Sequence, residues 1–292
     1  MVFSTQLLAQ ALVTGILIGG VFALISVGLS LIWGVMRIVN FAHGEFLMVA
    51  MYIAYLLAAK AGWDPYLTIL ITAPALFLLG ALIFQTTIRP ILTHPSMNQI
   101  MLTVGISLIL QNLALAIFNA DVQTIRTRYT PMIFTLGPAI VRVSQLIAFL
   151  GSALAAGLLY WFLQKTDTGR AIRAASQNRD AAVLMGINVE RTYLIAFGIG
   201  SACLGVAASL ITPFYPTSPT VGNFFGLIAY VVVVLGGLGN FPGALIAGLF
   251  IGLTENLGAA LLPGSLARVL TFGIFILVLL VRPQGLFGGR QQ

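Results

Sequence analysis

Charge is scarce in this sequence. Only 7% of its 292 residues are Asp, Glu, Lys or Arg, against about 25% in an ordinary soluble domain. A folded chain of this length cannot cover a water-facing surface with so few polar groups, which excludes a soluble globular protein. Histidine occurs twice and cysteine once, at Cys203. One cysteine forbids an intrachain disulfide and excludes metal clusters built on several thiolates. Two distant histidines leave little for acid–base chemistry. No Gly-rich phosphate loop of the GxxxxGKS/T form is present, no GxSxG elbow and no HExxH motif, so nothing marks the chain as an ATPase, a serine hydrolase or a zinc peptidase. Residues 1–10 carry no Lys or Arg, so the charged start of a cleavable signal peptide is missing as well.

Apolar residues, by contrast, make up 59% of the chain. Runs long enough to cross a bilayer, about 20 residues each, fall near 6–35, 43–59, 66–88, 98–118, 143–164, 192–212, 223–239, 243–262 and 266–281. Lipid offers backbone groups no partner outside the segment, so these runs are helical. They are too long and too uniformly apolar for barrel strands of roughly ten alternating residues. The expected fold is all-α: a polytopic integral membrane protein with eight to nine transmembrane helices and at least one broken or re-entrant segment, in a single membrane domain over 1–292. The first run has room for a bend or break near Gly28. The stretch 223–262 has room for a span, a re-entrant turn and another span.

The net charge is +7. The basic residues sit in short connections between spans and form no stripe with interleaved aromatics, so they point to membrane orientation and not to nucleic acid. The longest polar connection, Lys165–Arg191, carries Lys165, Arg170, Arg173, Arg179 and Arg191 and is placed in the cytoplasm. Alternation then puts Arg37, Arg89, Arg282 and Arg290 on the same side, nine of the fourteen basic residues. Lys60, Arg126, Arg128, Arg142 and Arg268 fall outside. The N-terminus comes out external and the C-terminus cytoplasmic.

Polarity concentrates in "GVMRIVNFAHGEF", Gly34–Phe46, between two apolar runs. Ionisable groups at membrane depth face protein or water and not lipid. A zinc site fails, because His43 and Glu45 lie two apart on different helix faces and no third ligand is near. Two readings remain. In the structural one, Asn40 caps a helix starting at Phe41, and Glu45 pairs with Arg37 or bonds a neighbouring helix. In the other, Asn40, His43 and Glu45, with Asn240 and Glu255, belong to a transport pathway or gate. "VNFAHGEF" (39–46) and "GNFPGALI" (239–246) echo each other faintly, each placing Asn-Phe between two apolar runs. Broken segments at matching positions of two halves are a pointer to a transport site. Glu45, His43 and Glu255 equally suit a proton-coupled secondary transporter or channel.

The segment 168–192 reads as a helix from Arg170 to about Met185, ended by Gly186. Ala171, Ile172, Ala175, Ala182, Leu184 and Met185 give it an apolar side. Such a helix rests on lipid or docks into a groove of a soluble partner.

"DAAVLMG" (Asp180–Gly186) resembles the EAA-x3-G loop of ABC-importer membrane subunits, with Asp in the first place. "GLSLIWGVMRIVNFAHGEFLMVAMY" (Gly28–Tyr52), "TGRAIRAASQNRDAAVLMGINVERTY" (Thr168–Tyr193), "VVVVLGGLGNFPGALIAGL" (Val231–Leu249) and "RPQGLFG" (Arg282–Gly288) resemble, in order and over essentially the full length, the LivH-type permeases of branched-chain amino acid importers. The resemblance implies a permease subunit with no enzymatic activity, forming half of a translocation pathway in the bacterial inner membrane. It implies three kinds of partner besides the bilayer: a second, LivM-like permease, two cytoplasmic ATPases that bind ATP and magnesium, and a periplasmic binding protein. The chain itself would bind no cofactor. The segment at about 165–191, with Arg179, Asp180, Ala181, Ala182 and Gly186, would be the loop that couples to an ATPase. Related permeases carry urea, short amides or other amino acids, so the substrate is less narrowly implied than the family.

Overall fold

The computed structural model describes residues 5–125, 127–262 and 266–288. Arg126 and Arg290 lie outside the described residues. Among those described, seven helices are long and apolar enough to cross a membrane. They are α1 (Thr5–Met36), α2 (His43–Ala61), α3 (Ile69–Ile83), α5 (Ser96–Phe118), α6 (Val143–Lys165), α9 (Val189–Ile211) and α11 (Phe241–Leu261). The third span continues from α3 through a π turn (Phe84–Ile88) into the single turn α4 (Arg89–Ile91). Two shorter apolar helices complete the set, α10 (Val221–Gly236) and α12 (Leu266–Val281). The fold is therefore an all-α polytopic membrane protein, as its composition required.

The first helix is the hub. A helix that is apolar all round must be buried all round, and from Gly19 to Ile32 every side chain of α1 is buried. It packs along α11, α9, α6 and α10. The expected break near Gly28 does not occur, and α1 runs unbroken for 32 residues. Gly28 serves packing instead: a Cβ there would lie 2.5 Å from the Gly200 carbonyl oxygen on α9.

Hydroxyls tie α3 to α9. Thr72 Oγ1 donates to the Gly205 carbonyl at 2.9 Å, and Thr68 Oγ1 donates to Ser209 Oγ at 2.8 Å. All three side chains are buried. Interhelical hydrogen bonds in a membrane contribute about 0.6–2 kcal/mol each. Thr72→Val keeps the shape and removes the bond, leaving a buried acceptor less well satisfied. It is expected to lower stability by about 1 kcal/mol, read as a lower thermal midpoint in detergent with transport intact.

The connections gather at two ends. At one end lie 92–95, 166–188, 237–240 and 282–288, here called the basic end. At the other lie 62–68, 119–142 and 212–220, where Gln123 bridges to Thr217. The long connection at this second end holds a small hairpin, β1 (Ile133–Leu136) with β2 (Ala139–Arg142), paired antiparallel. At the basic end the expected single helix is two, α7 (Asp167–Gln177) and α8 (Arg179–Leu184). Asn178 breaks it by adopting an extended conformation and accepting the Ala181 amide on Oδ1 at 3.0 Å, the usual chemistry of an N-cap. Gly186, at φ +79°, closes α8 as expected.

Candidate translocation site

The chain after α1 does not leave the bundle. Arg37, at φ +55°, ends the helix in a left-handed conformation, its amide donating to the Trp33 carbonyl at 2.7 Å. Residues 37–42 then turn back inward. The Val39 carbonyl accepts from Thr103 Oγ1 on the second turn of α5, at 3.1 Å. His43 Nε2 lies 3.0 Å from the Ile25 carbonyl of α1. Ile25 is about 16 Å along the helix from Met36 at 1.5 Å per residue, half of a hydrocarbon core about 30 Å thick. So α2 begins well inside the bundle, about 16 Å from the basic end of α1.

The other partly inserted helix is α10, with 16 residues. Its start also lies deep in the bundle, where Phe224 and Phe225 pack edge-on against Phe22 of α1, with ring centroids 6.5 and 6.2 Å apart. The two helix starts meet there. A Cβ on Gly44 would lie 2.0 Å from the Gly222 carbonyl oxygen, so glycine alone allows the approach. Neither start has a side-chain cap, whereas α7, α8, α9 and α11 are capped by Thr166, Asn178, Asn188 and Asn240. The first turn of a helix presents amides without helical partners and the positive end of its dipole. Two such ends meet inside the bundle, so their dipoles point at one place.

Glu45 follows in the first turn of α2, 2% exposed, where a carboxylate suits the dipole. The Ser107 hydroxyl of α5 bonds it and Tyr230 of α10 lies within its electrostatic reach. Among the described residues the Tyr230 hydroxyl and His43 Nδ1 have no hydrogen-bond partner. The Tyr230 ring leans on Phe41 at 5.1 Å.

Placement of the sequence candidates divides them. His43 and Glu45 stand together at the helix meeting point. Asn40 is buried beside them, but α2 starts at His43 and not at Phe41. Its Oδ1 accepts the Ala42 amide at 3.2 Å, shaping the turn before the helix instead of capping it. Glu45 makes no ion pair with Arg37 among the described residues; it bonds the neighbouring helix. Asn240 is elsewhere, at the basic end. It caps α11 through the Gly243 amide at 3.0 Å and donates to the Phe287 carbonyl at 2.7 Å, fastening the 282–288 segment. Glu255 of α11 lines a cavity of about 350 Å³ with Thr220, Asn223, Leu227 and Thr271. This cavity flanks the start of α10. Arg179, Asp180 and Ala181 are exposed on α8 and Ala182 is buried. Ile172, Ala175 and Ala182 face the bundle, while Leu184 and Met185 are 87% and 82% exposed. Ser107, Asn223 and Tyr230 escaped the sequence reading. Asn223 is an exposed amide on a bilayer-depth helix, and its position at the head of an apolar run was the available signal. Among the described residues no group of three His, Cys, Asp or Glu is placed to hold a metal.

Membrane-length helices with paired helix starts inside the bundle are an architecture of solute-transporting membrane proteins. Residues 11–279 match the family described as "Branched-chain amino acid transport system / permease component". The chain is 32% identical to the high-affinity branched-chain amino acid transport system permease protein BraD of Pseudomonas aeruginosa, over 96% of this chain and 95% of that protein. It is 31% identical to the corresponding LivH protein of Escherichia coli K12, over 96% and 95%. It is 30% identical to a probable branched-chain amino acid transport permease protein LivH of Methanocaldococcus jannaschii, over 94% and 90%. No solved structure matches the chain. The chain belongs to this family of membrane permease components.

Proposed function

We propose that the chain, as one permease domain, forms half of the translocation pathway of a bacterial ABC importer for branched-chain or related hydrophobic amino acids. The observation that carries the substrate class is the near-full-length likeness to BraD and LivH, whose names specify that transport. The site's chemistry suits it. The positive ends of the two helix dipoles would attract the carboxylate, Glu45 would accept from the ammonium group, and aromatic and aliphatic walls would take the side chain. Arg37, Arg89, Lys165, Arg170, Arg173, Arg179, Arg191 and Arg282 favour a cytoplasmic basic end. The N-terminus would then be periplasmic and the C-terminus cytoplasmic, in the inner membrane. A second permease, LivM-like, would supply the other half of the pathway. Two ATPases carrying ATP and magnesium would dock at α8, and a periplasmic binding protein would deliver substrate at the hairpin end. Closure of the ATPase pair would shift the bundle between inward- and outward-facing states by contacts that differ between them.

Leucine uptake by membrane vesicles tests this. Uptake is expected to require the partner ATPases and to survive an uncoupler. Uptake without those subunits that collapses with the uncoupler would instead establish proton coupling, the reading that buried His43 and Glu45 favour. At the site, Glu45→Gln keeps a hydrogen-bonding group for Ser107 and removes the charge. It is expected to reduce uptake at least about tenfold, the equivalent of 1.4 kcal/mol, at unchanged protein abundance. Normal uptake per molecule with reduced abundance would assign Glu45 a purely structural role.

A further inference from the structure

A groove on the membrane face adjoins a cavity whose arginine has no acidic partner among the described residues. Helices α6 and α11 both lie against α1 and meet at the Tyr160–Phe241 ring pair, centroids 5.6 Å apart. Beside that pair runs a groove of about 330 Å³, floored by Gly20 and Ala23 of α1 and walled by Phe149, Ala153 and Gly157 of α6 and Leu249 of α11. From Phe149 to Tyr160 it extends about 16 Å along α6, close to the thickness of one leaflet. Ala153 and Gly157 are exposed, and a Cβ on Gly157 would meet nothing within 4 Å. Packing within this chain therefore does not demand glycine there. A helical glycine is unfavourable by roughly 0.5–1 kcal/mol relative to alanine, and here it leaves room for something outside the chain.

Tyr160 and Phe241 also line a second cavity, of about 220 Å³, toward the basic end. It holds two unsatisfied donors. Ser30 Oγ is 1% exposed and has no hydrogen-bond partner, although Ser26, one turn earlier, donates to the Phe22 carbonyl. The Arg173 guanidinium donates to Gln164, a neutral side chain, and its Nε has no partner. Among the described residues Arg173 forms no ion pair, while Asp167 pairs with Arg170 and Glu190 with Arg89. A guanidinium seeks an oxyanion and binds phosphate through two parallel N–H bonds. An apolar leaflet-length groove ending in such a group at the membrane boundary matches a phospholipid in both parts.

We propose that this face binds one anionic phospholipid, with an acyl chain between α6 and α11 and the headgroup phosphate at Arg173 and Ser30. The site lies apart from the meeting point of α2 and α10 and does not depend on the substrate.

Native mass spectrometry of the assembled, detergent-purified transporter tests it, with dioleoyl phosphatidylglycerol and dioleoyl phosphatidylethanolamine as probes. The wild type is expected to retain phosphatidylglycerol at least about tenfold more tightly, the 1.4 kcal/mol of one charge-assisted contact. Arg173→Gln is expected to remove that preference and leave weak binding of both lipids. Gly157→Leu, or Ala153→Leu as a second variant, is expected to expel both at an unchanged thermal midpoint. Equal retention of the two lipids by the wild type overturns the proposal, as does retention indifferent to these variants. Displacement by excess inorganic phosphate overturns it too, by assigning Arg173 a soluble anion. A cross-link from Gly157→Cys to another polypeptide would give the groove to a protein helix and overturn it equally.

Discussion

Replacing Gly44 with valine is expected to leave almost no folded permease. The argument is steric. A single methyl at Gly44 would lie 2.0 Å from the Gly222 carbonyl oxygen, and the next contacts are Gly222 C and Gly226 Cα, both at 2.8 Å. All are backbone, so no side chain can rotate away. The helices must part, which also disturbs His43 on Ile25 and Glu45 on Ser107. Overpacking a core costs about 1–3 kcal/mol where side chains can yield, and here they cannot. Gly44→Ala is expected to lose at least about 3 kcal/mol, and Gly44→Val more. Gly105 is the control. It is also helical, but a Cβ there meets nothing within 4 Å. Gly105→Ala is expected to gain up to about 1 kcal/mol from helix propensity. Thermal unfolding of the detergent-purified proteins measures all three. A Gly44→Ala midpoint equal to the wild type would sink the close contact of α2 with α10.

The second large effect is at the tip of α8. The double substitution Leu184→Glu with Met185→Glu is expected to abolish ATPase association without unfolding the permease. These side chains are 87% and 82% exposed at the basic end, so the bundle loses nothing when they change. Burying such a side chain against a partner contributes about 1.5–3 kcal/mol. Losing two weakens docking by roughly 3–6 kcal/mol, two to four decades in affinity. Co-purification of the ATPases with tagged permease reads this directly, and uptake should fall to background. Retained ATPases at full stoichiometry would show that α8 rests on lipid instead. The neighbouring Ala182 is 3% exposed, so an Ala182→Glu variant tests the bundle and not the docking face.

The composition made membrane helices unavoidable, and the apolar runs placed them closely because hydropathy in lipid is a local property. The end of α8 at Gly186 follows from a short-range rule, whereas the capping rule applied to Asn40 points to a start at Phe41 and α2 starts at His43. What misled the reading was also local. Gly28 suggested a break, but in a buried helix a glycine is as often a place for another backbone, here that of Gly200. The helical pattern puts Asn178 in a helix interior, yet an Asn whose carbonyl can accept from the third residue on is a capping group. The polar hotspot Gly34–Phe46 stands out along the chain, but the residues packed around it do not. Ser107 and Tyr230 lie in three-dimensional reach of Glu45 on two other helices, and no spacing along the chain connects them. Asn240, matched to Asn40 by a faint echo, sits at the basic end and fastens the 282–288 segment.

The sequence by itself determined that this chain lives in a membrane, where its helices run, and which family it joins. Those facts rest on backbone hydrogen bonds that must close within each segment and on motifs readable in order. Only the tertiary structure decided that α2 and α10 begin inside the bundle and touch through Gly44 and Gly222. It also decided that Glu45 faces Ser107 and that Arg173, beside a lipid-sized groove, has no acidic partner among the described residues. Each of these depends on which faces of separate helices meet, and in lipid that choice is made by shape and by scattered polar contacts, which the hydropathy of a single chain does not encode.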